Sequence, residues 1–495
     1  MKRSKFLLTL VIISLLLPLS IVAHQPITTT YSTNTPTELE QNAAKIAGSI
    51  LVNGQSMKYL QTLTDKFGAR LTTTKAYQRS AEWAAEEFRA MGLKNVRLEK
   101  FTMDGWERAV SARAKMISPI EHPIILHSMG WTPSTPANGV KGDVVLLKDF
   151  SVEKIKANAD NYKGKILLID PATVFAEGRL NALMKAFDAY TALKEIGAQA
   201  VLVPDQYENN IVKARKASFG TKIVALPVAA LGSEDNQLIR RSLEKGAVTI
   251  EFHYENRTPG EVQVDNVIAE IPGREKSDEW ILIGAHLDSW DFGTGAQDNG
   301  SGSATILEAA RAMASLGIAP RRTIRFALWG GEEQGLLGSK AYIDAHKSEM
   351  DKCVAVLNTD NGAGHPNGWK VQGRSDVYEA MKPISNMLTS LNGNTLSYEV
   401  SFNTDHAYFI LEGVPTLDLL VDMAHYDDVH HKSSDTIDKV NPHSLATATA
   451  IVAITGYNLA EQPKTLAPRL GHDAIEEILK KADLLDFLKK SGDWK

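Results

Sequence analysis

Histidines and carboxylates recur at the ends of apolar runs in the second half of the chain, and these residue types suit a metal. The run Trp280 to Ile283 leads into Gly284-Ala285-His286-Leu287-Asp288. His286 and Asp288 are two residues apart, so on an extended backbone they project to one side. The imidazole can then ligate a metal while the carboxylate fixes its tautomer. Gln297-Asp298-Asn299-Gly300 precedes a helical stretch. Its small residues allow a tight turn that points Asp298 inward, and a helix N-cap is the plain alternative. The run Thr323 to Leu328 ends at Gly330-Gly331-Glu332-Glu333. Adjacent carboxylates at a strand end face opposite ways, so one can bind metal while the other faces a water. A further run, Val354 to Leu357, exits into Asn358-Thr359-Asp360, and a late polar loop carries His430-His431. Singly, each of these has an ordinary reading as a solvated strand end, a cap or a loop histidine.

Elements that could bring them together are visible in the same region. The runs Asn266 to Ala269, Trp280 to Ile283, Thr323 to Leu328 and Cys353 to Leu357 alternate with helical stretches such as Ser303 to Leu316. That rhythm predicts an α/β fold, a mixed, largely parallel sheet with helices on both faces. Such sheets place their sites just past the C-terminal strand ends. Upstream, Glu38 to Phe101 reads as helical, with Ala81, Ala84, Ala85, Phe88 and Met91 at three-to-four spacing and Gly92 as the stop. Residues 110–257 change texture, with short runs at Val144 to Leu147, Ile166 to Ile169 and Ala200 to Val203. Helices Leu183 to Ile196 and Ser233 to Lys245 lie among them, and the block is expected to be an independent strand-rich insert. Residues 41–109 and 258–470 then form the main body. Residues 471–495 form an amphipathic helix whose stripe of Ile475, Ile478, Leu479, Ala482, Leu485 and Leu488 is expected to dock on the core.

The chain's 495 residues exceed one ordinary core. Its 43% apolar and 23% charged residues fit a folded soluble protein and exclude a polytopic membrane chain. A single cysteine, Cys353, excludes intrachain disulfides, a cysteine zinc knuckle and an iron–sulfur site; inside an apolar run it reads as an inert buried thiol. A net charge of −5 offers no basic excess for nucleic acid. Residues 1–23 have the order of a secretory signal peptide: Lys2, Arg3 and Lys5, then Phe6 to Leu17, then a small-residue exit. Its removal takes three positive charges and leaves a chain of net charge −8, secreted or periplasmic and with no membrane attachment. Residues 24–40 read as a flexible lead-in.

The order His-x-Asp, Asp, Glu-Glu, Asp, His resembles the co-catalytic di-zinc exopeptidases, the superfamily of bacterial leucyl aminopeptidase and glutamate carboxypeptidase. Within it the likeness is to the carboxypeptidase Q branch. It is carried by HLDSWDFGTGAQDNGSG from His286, LWGGEEQGLLGS from Leu328, TDHAYFILEGVP from Thr404 and HHKSSDT from His430. The resemblance spans most of the chain from about Glu38 to Leu470 and implies a phosphorylase/hydrolase-like zinc peptidase fold. It implies that residues 110–257 are an inserted protease-associated domain. It further implies two zinc ions per chain, one completed by His286 and Asp360, the other by Glu333 and His431, with Asp298 bridging. His431 rather than His430 fits because Asp435-Thr436 follow at the family's spacing. Asp288 becomes the orienter of His286, and Glu332 the general base. A cis peptide after Asp298 and a homodimer are also implied. The activity implied is hydrolysis of dipeptides and short peptides by attack of a metal-bridging hydroxide.

Competing readings are an aminopeptidase of the same family, a hydrolase of non-peptide amides and a receptor-like binding protein that has lost its ligands. All five ligands are present here, which favours catalysis. A carboxypeptidase needs cations for the substrate's terminal carboxylate, and Arg374 and Lys432 are candidates; an aminopeptidase needs a carboxylate, for which Asp405 or Asp427 could serve. His406, beside Asp405, reads as a polar loop histidine.

Overall fold

Long apolar runs bounded by turns become the centre of a sheet because both of their faces can be covered. The computed structural model describes residues 37–176 and 178–494. In it, strands Thr416–Val421, Cys353–Asn358, Lys276–His286 and Arg322–Trp329 lie side by side in that order, all parallel. Pro366–Lys370 pairs antiparallel beyond Thr416–Val421, and Thr395–Ser397 adds parallel to it. At the other side Thr249–Ile271 runs antiparallel to Arg322–Trp329, so Asn266 to Ala269 belongs to an antiparallel strand within the mixed sheet. The leader lies outside the described residues, and so does most of the lead-in, in whose last three residues helix Glu38–Asn53 begins.

Side chains leave the central strands alternately. Ile281, Ile283, Ile324, Phe326, Leu328, Ala355 and Leu357 face one core, and Trp280, Leu282, Ala327, Trp329 and Val356 the other. Helices Glu38–Asn53, Ser301–Ser315 and Pro442–Glu461 cover the first face. Pro442–Glu461 is buried on nearly all sides, which its small and apolar residues permit. Helices Leu337–His346 and Ala407–Leu411 cover the second through Tyr342, Ile343 and Phe409. Cys353 is buried there, and burial raises its thiol far above the ordinary range. Among the described residues no helix is long and apolar enough to cross a membrane.

The helical region ends earlier than its pattern implied. Helix Lys75–Ala90 stops before Gly92, and Lys94–Ser118 is a long strand paired along Thr249–Ile271. Partners more than 130 residues away decide that segment, a contribution no local periodicity records. Residues 110 and 257 both fall inside these two strands. Along them the contacts pass from the main core, at Trp106, to a separate cluster containing Met116, Ile250 and Phe252.

The sheet continues into that far region through Val140–Leu147, which pairs antiparallel with Thr249–Ile271: Val140–Leu147, Ile166–Ile169, Ala200–Pro204 and Val228–Leu231 run parallel, with Leu126–Ser128 antiparallel at the edge. Helices Arg179–Glu195 and Ser233–Leu243 bury Ala186 and Ile239 in the two clusters that flank it. The block is thus itself α/β, richer in helix than its sequence texture implied. At the C-terminus the expected single helix is two, His472–Lys481 and Leu485–Ser491. The turn at Asp483 (φ 56°) lets Ile475, Leu479, Leu485, Leu488 and Trp494 share one apolar cluster with Leu411 and Leu470.

Candidate metal centre

Three adjacent parallel strands end level with one another, and their C-terminal ends hold the chemistry. His286 is the last residue of Lys276–His286 and pairs in register with Trp329. Glu332 and Glu333 follow Trp329 through Gly330 and Gly331, where φ of 71° at Gly331 favours glycine. Asp360 follows the neighbouring strand Cys353–Asn358. Asp298 arrives from a turn before helix Ser301–Ser315, and its peptide to Asn299 is cis. That turn is held from both sides. Asn299 Nδ2 donates to the Thr359 carbonyl (2.9 Å), and the Asp435 carboxylate accepts from the backbone N–H groups of Ala296, Gln297 and Asp298 at 3.1, 2.7 and 3.2 Å. Gly302 has no room for a side chain, because a Cβ there would lie 2.5 Å from the Thr359 carbonyl oxygen.

The seven residues singled out in the sequence converge here. His286 Nε2 lies 3.0 Å from Asp360 Oδ1, 3.2 Å from Asp298 Oδ1 and 3.9 Å from Glu332 Oε2. His431 Nε2 lies 3.1 Å from Asp298 Oδ2 and 2.8 Å from Glu333 Oε2. Asp298 therefore presents one oxygen to each histidine. Asp288 places its backbone carbonyl 3.0 Å and its carboxylate 3.5 Å from His286 Nδ1. Its carboxylate also accepts from the Thr72 hydroxyl (2.7 Å) and from Glu332 and Glu333 N–H (3.4 Å each). Asp288 thus orients the imidazole chiefly through its carbonyl and fixes the Glu332-Glu333 turn through its side chain.

His430 also approaches Asp298, at 3.5 Å from Oδ2, and with His431 makes a compact triad; His286, Glu332 and Asp360 make a second. Lys213 Nζ sits 2.8 Å from His430 Nδ1. The ammonium can only donate, so the proton of a neutral His430 rests on Nε2, the atom that faces Asp298. Burial first, with His431 adding, lowers its pKa to about 3, which keeps it neutral. His431 has its free nitrogen on the carboxylates and a backbone in the left-handed region (φ 60°).

Charge in the site is strongly one-signed. Burial raises the Glu332 carboxyl well above its usual range, with Asp360 and Glu333 adding against the pull of His286. Burial raises Glu333 and Asp360 likewise. Against the lowering effect of burial, Glu333 and Asp298 lift His431 to about 9. Asp298 Oδ2 is buried without a hydrogen bond. Four carboxylates, Asp298 and Asp360 buried and Glu332 and Glu333 half-buried, and two imidazoles, with one Asp298 oxygen unsatisfied, fit a pair of divalent cations: they offset the clustered charge and give that oxygen a partner. The set suits zinc through its histidines and oxygens.

Several residues here carry no signal in the sequence alone. Arg70 is completely buried and donates to the carbonyls of Gly68 (2.9 Å), Leu287, Thr294 and Gly295 (each 2.8 Å), tying the His286 and Asp298 turns together. Lys216 reaches from the far sheet region and donates to the Gln334 carbonyl at 2.6 Å; burial lowers its pKa to about 8. Ala214 N–H donates to the His431 carbonyl at 2.8 Å.

Of the four specificity candidates, Lys432 borders the cluster, in a small recess with Asp298, Glu333 and His431, and lies 3.7 Å over the Tyr207 ring. Arg374 does not reach it: the guanidinium is buried against Asp376 and the carbonyls of Gly413 and Pro468. Asp427 is exposed, 3.7 Å from Lys213. Asp405 is buried, and burial raises its carboxyl. His406 is buried rather than solvated, with Nδ1 2.5 Å from the Thr404 hydroxyl.

Residues 266–455 match the family model of Peptidase family M28. Carboxypeptidase Q of Mus musculus is 28% identical over 434 residues, covering 86% of this chain and 91% of that protein. Leucine aminopeptidase 2 of Trichophyton equinum is 27% identical over 443 residues, covering 80% and 81%. Among solved structures, a Peptidase M28 precursor from Shewanella amazonensis superimposes with a TM-score of 0.75 at 28% identity, covering 88% of this chain and 99% of that one. BSAP, a zinc aminopeptidase from Bacillus subtilis, shares the fold, with a TM-score of 0.64 at 22% identity over 84% and 97%. The mixed α/β fold and the resemblance read from the motifs are both borne out.

Proposed function

We propose, from the premise that the chain belongs to Peptidase family M28 through residues 266–455, that it is an exported di-zinc exopeptidase of carboxypeptidase Q type that hydrolyses dipeptides and short peptides. The observation that carries this reading is the placement of His286, Asp360, Asp298, Glu333 and His431 within contact of one another, with Glu332 beside them. On this reading His286 and Asp360 hold one zinc, Glu333 and His431 the other, and Asp298 both. When bound, the ions supply Lewis acidity and lower the pKa of nearby water.

The residues supply the rest. Asp288 and the Nδ1–H of His286 fix which ring nitrogen faces the cluster. Glu332 takes a proton from water on its carboxylate, the water's hydroxyl adds to the peptide carbonyl carbon, and the C–N bond breaks. Glu332 then returns the proton to the departing nitrogen. The leader at residues 1–23 supports export. Residues 110–257 serve as the protease-associated insert that walls the cleft, and the resemblance supports a homodimer.

Charge near the site favours the carboxypeptidase direction. Beyond the ligands Glu333 and His431, the charged groups lining the adjoining cavity are Arg179, Arg215 and Lys216, all cationic. A substrate carboxylate gains from them, and a substrate ammonium does not. The zinc-loaded protein should therefore cleave an N-acetylated dipeptide and leave its C-terminal amide intact. Cleavage of the amide with the acetylated form untouched would overturn this in favour of an aminopeptidase.

A further inference from the structure

Behind the metal cluster lies a buried carboxylate that the proposed reaction does not use. Asp418, on strand Thr416–Val421, is 1% exposed and stands in register with Asn358, the last residue of Cys353–Asn358. Its Oδ1 accepts from Asn358 Nδ2 at 3.1 Å and its Oδ2 from Asn361 Nδ2 at 3.0 Å. These two asparagines bracket Asp360, so one carboxylate clasps both ends of the turn that carries it. We propose that Asp418 is a positioning residue for the metal held by His286 and Asp360, acting through this clasp and through its negative charge. The inference deepens the exopeptidase reading and rests on its metal assignment.

The charge is the telling feature. Both side chains that donate to Asp418 are neutral amides, and among the described residues it forms no ion pair. Lys370, opposite it on Pro366–Lys370, sends its ammonium to Glu399 at 3.0 Å instead. Burying a carboxylate on neutral donors alone is destabilising, and a neutral residue of the same shape would avoid that penalty. Asn358 and Asn361 are themselves held in place: Asn358 Nδ2 also reaches the Thr404 hydroxyl at 2.8 Å, and Asn361 Nδ2 the Leu419 carbonyl at 3.1 Å. The charge of Asp418 acts on the Asp360 carboxyl. A divalent cation on Asp360 gives that charge a use, because attraction between buried charges is weakly screened. Outer groups that hold a metal ligand in this way change metal affinity by about 10–100-fold.

The test reads metal affinity and metal-free stability, so it is independent of turnover. Zinc is titrated into the metal-free protein in competition with a chromophoric chelator, which resolves two affinities. In Asp418→Asn one of them should weaken by about 10–100-fold while the other holds within about threefold. Diffraction at the zinc edge, with one equivalent bound to this variant, should place the retained ion beside Glu333 and His431. The metal-free variant should unfold at no lower a temperature than the unaltered protein, since a buried charge has been removed. Asn361→Ala opens the clasp and keeps the charge, so the same affinity should fall by a smaller factor. Unchanged affinities in both variants would overturn the proposal. So would retention of the ion beside His286 and Asp360, or a lower metal-free unfolding temperature accompanying the lost affinity. Loss of one zinc in Asp418→Asn, with no dipeptide hydrolysed by the unaltered protein, would sustain the positioning role and sink the exopeptidase reading. Hydrolysis by the unaltered protein, with both affinities unmoved in the variants, would do the reverse.

Discussion

Glu332→Gln is expected to retain two zinc ions per chain and to lower kcat by about 10²–10⁴-fold, the span associated with a positioned general base. The substitution preserves shape and removes only the capacity to accept and return a proton. The assigned metal ligands are Glu333, Asp298, Asp360 and the two histidines, so metal content should not change. Stability should also hold, because the Glu332 backbone N–H stays on Asp288 and the amide keeps the size and shape of the carboxyl. Steady-state kinetics beside metal analysis checks this, and retention of turnover would remove Glu332 from the reaction.

Asp298→Ala should have the opposite signature, a loss of metal that precedes any question of rate. Asp298 directs one oxygen to His286 at 3.2 Å and the other to His431 at 3.1 Å, so it alone belongs to both halves of the cluster. Without it the remaining carboxylates divide between two separate sites. Zinc content after dialysis should fall from two per chain to one or fewer, with affinity weakened at least about 100-fold. The turn itself is held by Asp435, Asn299 and Arg70, which the substitution leaves in place. Unchanged stoichiometry measured by metal analysis would show that Asp298 bridges nothing.

The sequence carries the proposed ligand set clearly because the sheet's parallel strands have to end at one edge. A histidine or carboxylate just past each apolar run is thus brought to its neighbours by topology alone. His286, Glu332, Glu333 and Asp360 were legible for that reason. Asp298 and His431 depend on turns, and they stood out through the spacing of familiar motifs. What was not legible acts across long separations in the chain. Arg70 follows a helical region yet holds the carbonyls of Leu287, Thr294 and Gly295. Asp435 was visible only as a marker of spacing, whereas its carboxylate caps three N–H groups of the Asp298 turn. Lys213, Arg215 and Lys216 form a short basic run whose importance comes from Ala214 docking on the His431 carbonyl. The long strand Lys94–Ser118 was hidden by the same cause, since its partner Thr249–Ile271 lies far along the chain. Arg374 shows the reverse error: a cation that looked available to substrate is fully engaged by Asp376 and two carbonyls.

The claim on which everything else depends is that two metals share Asp298. Diffraction from crystals of the zinc-loaded protein, collected on both sides of the zinc absorption edge, tests it most directly. The account predicts two anomalous peaks, one beside His286 and Asp360, the other beside Glu333 and His431, with a carboxylate oxygen of Asp298 on each. A single peak, or a second metal held by His430 in place of His431, would contradict it.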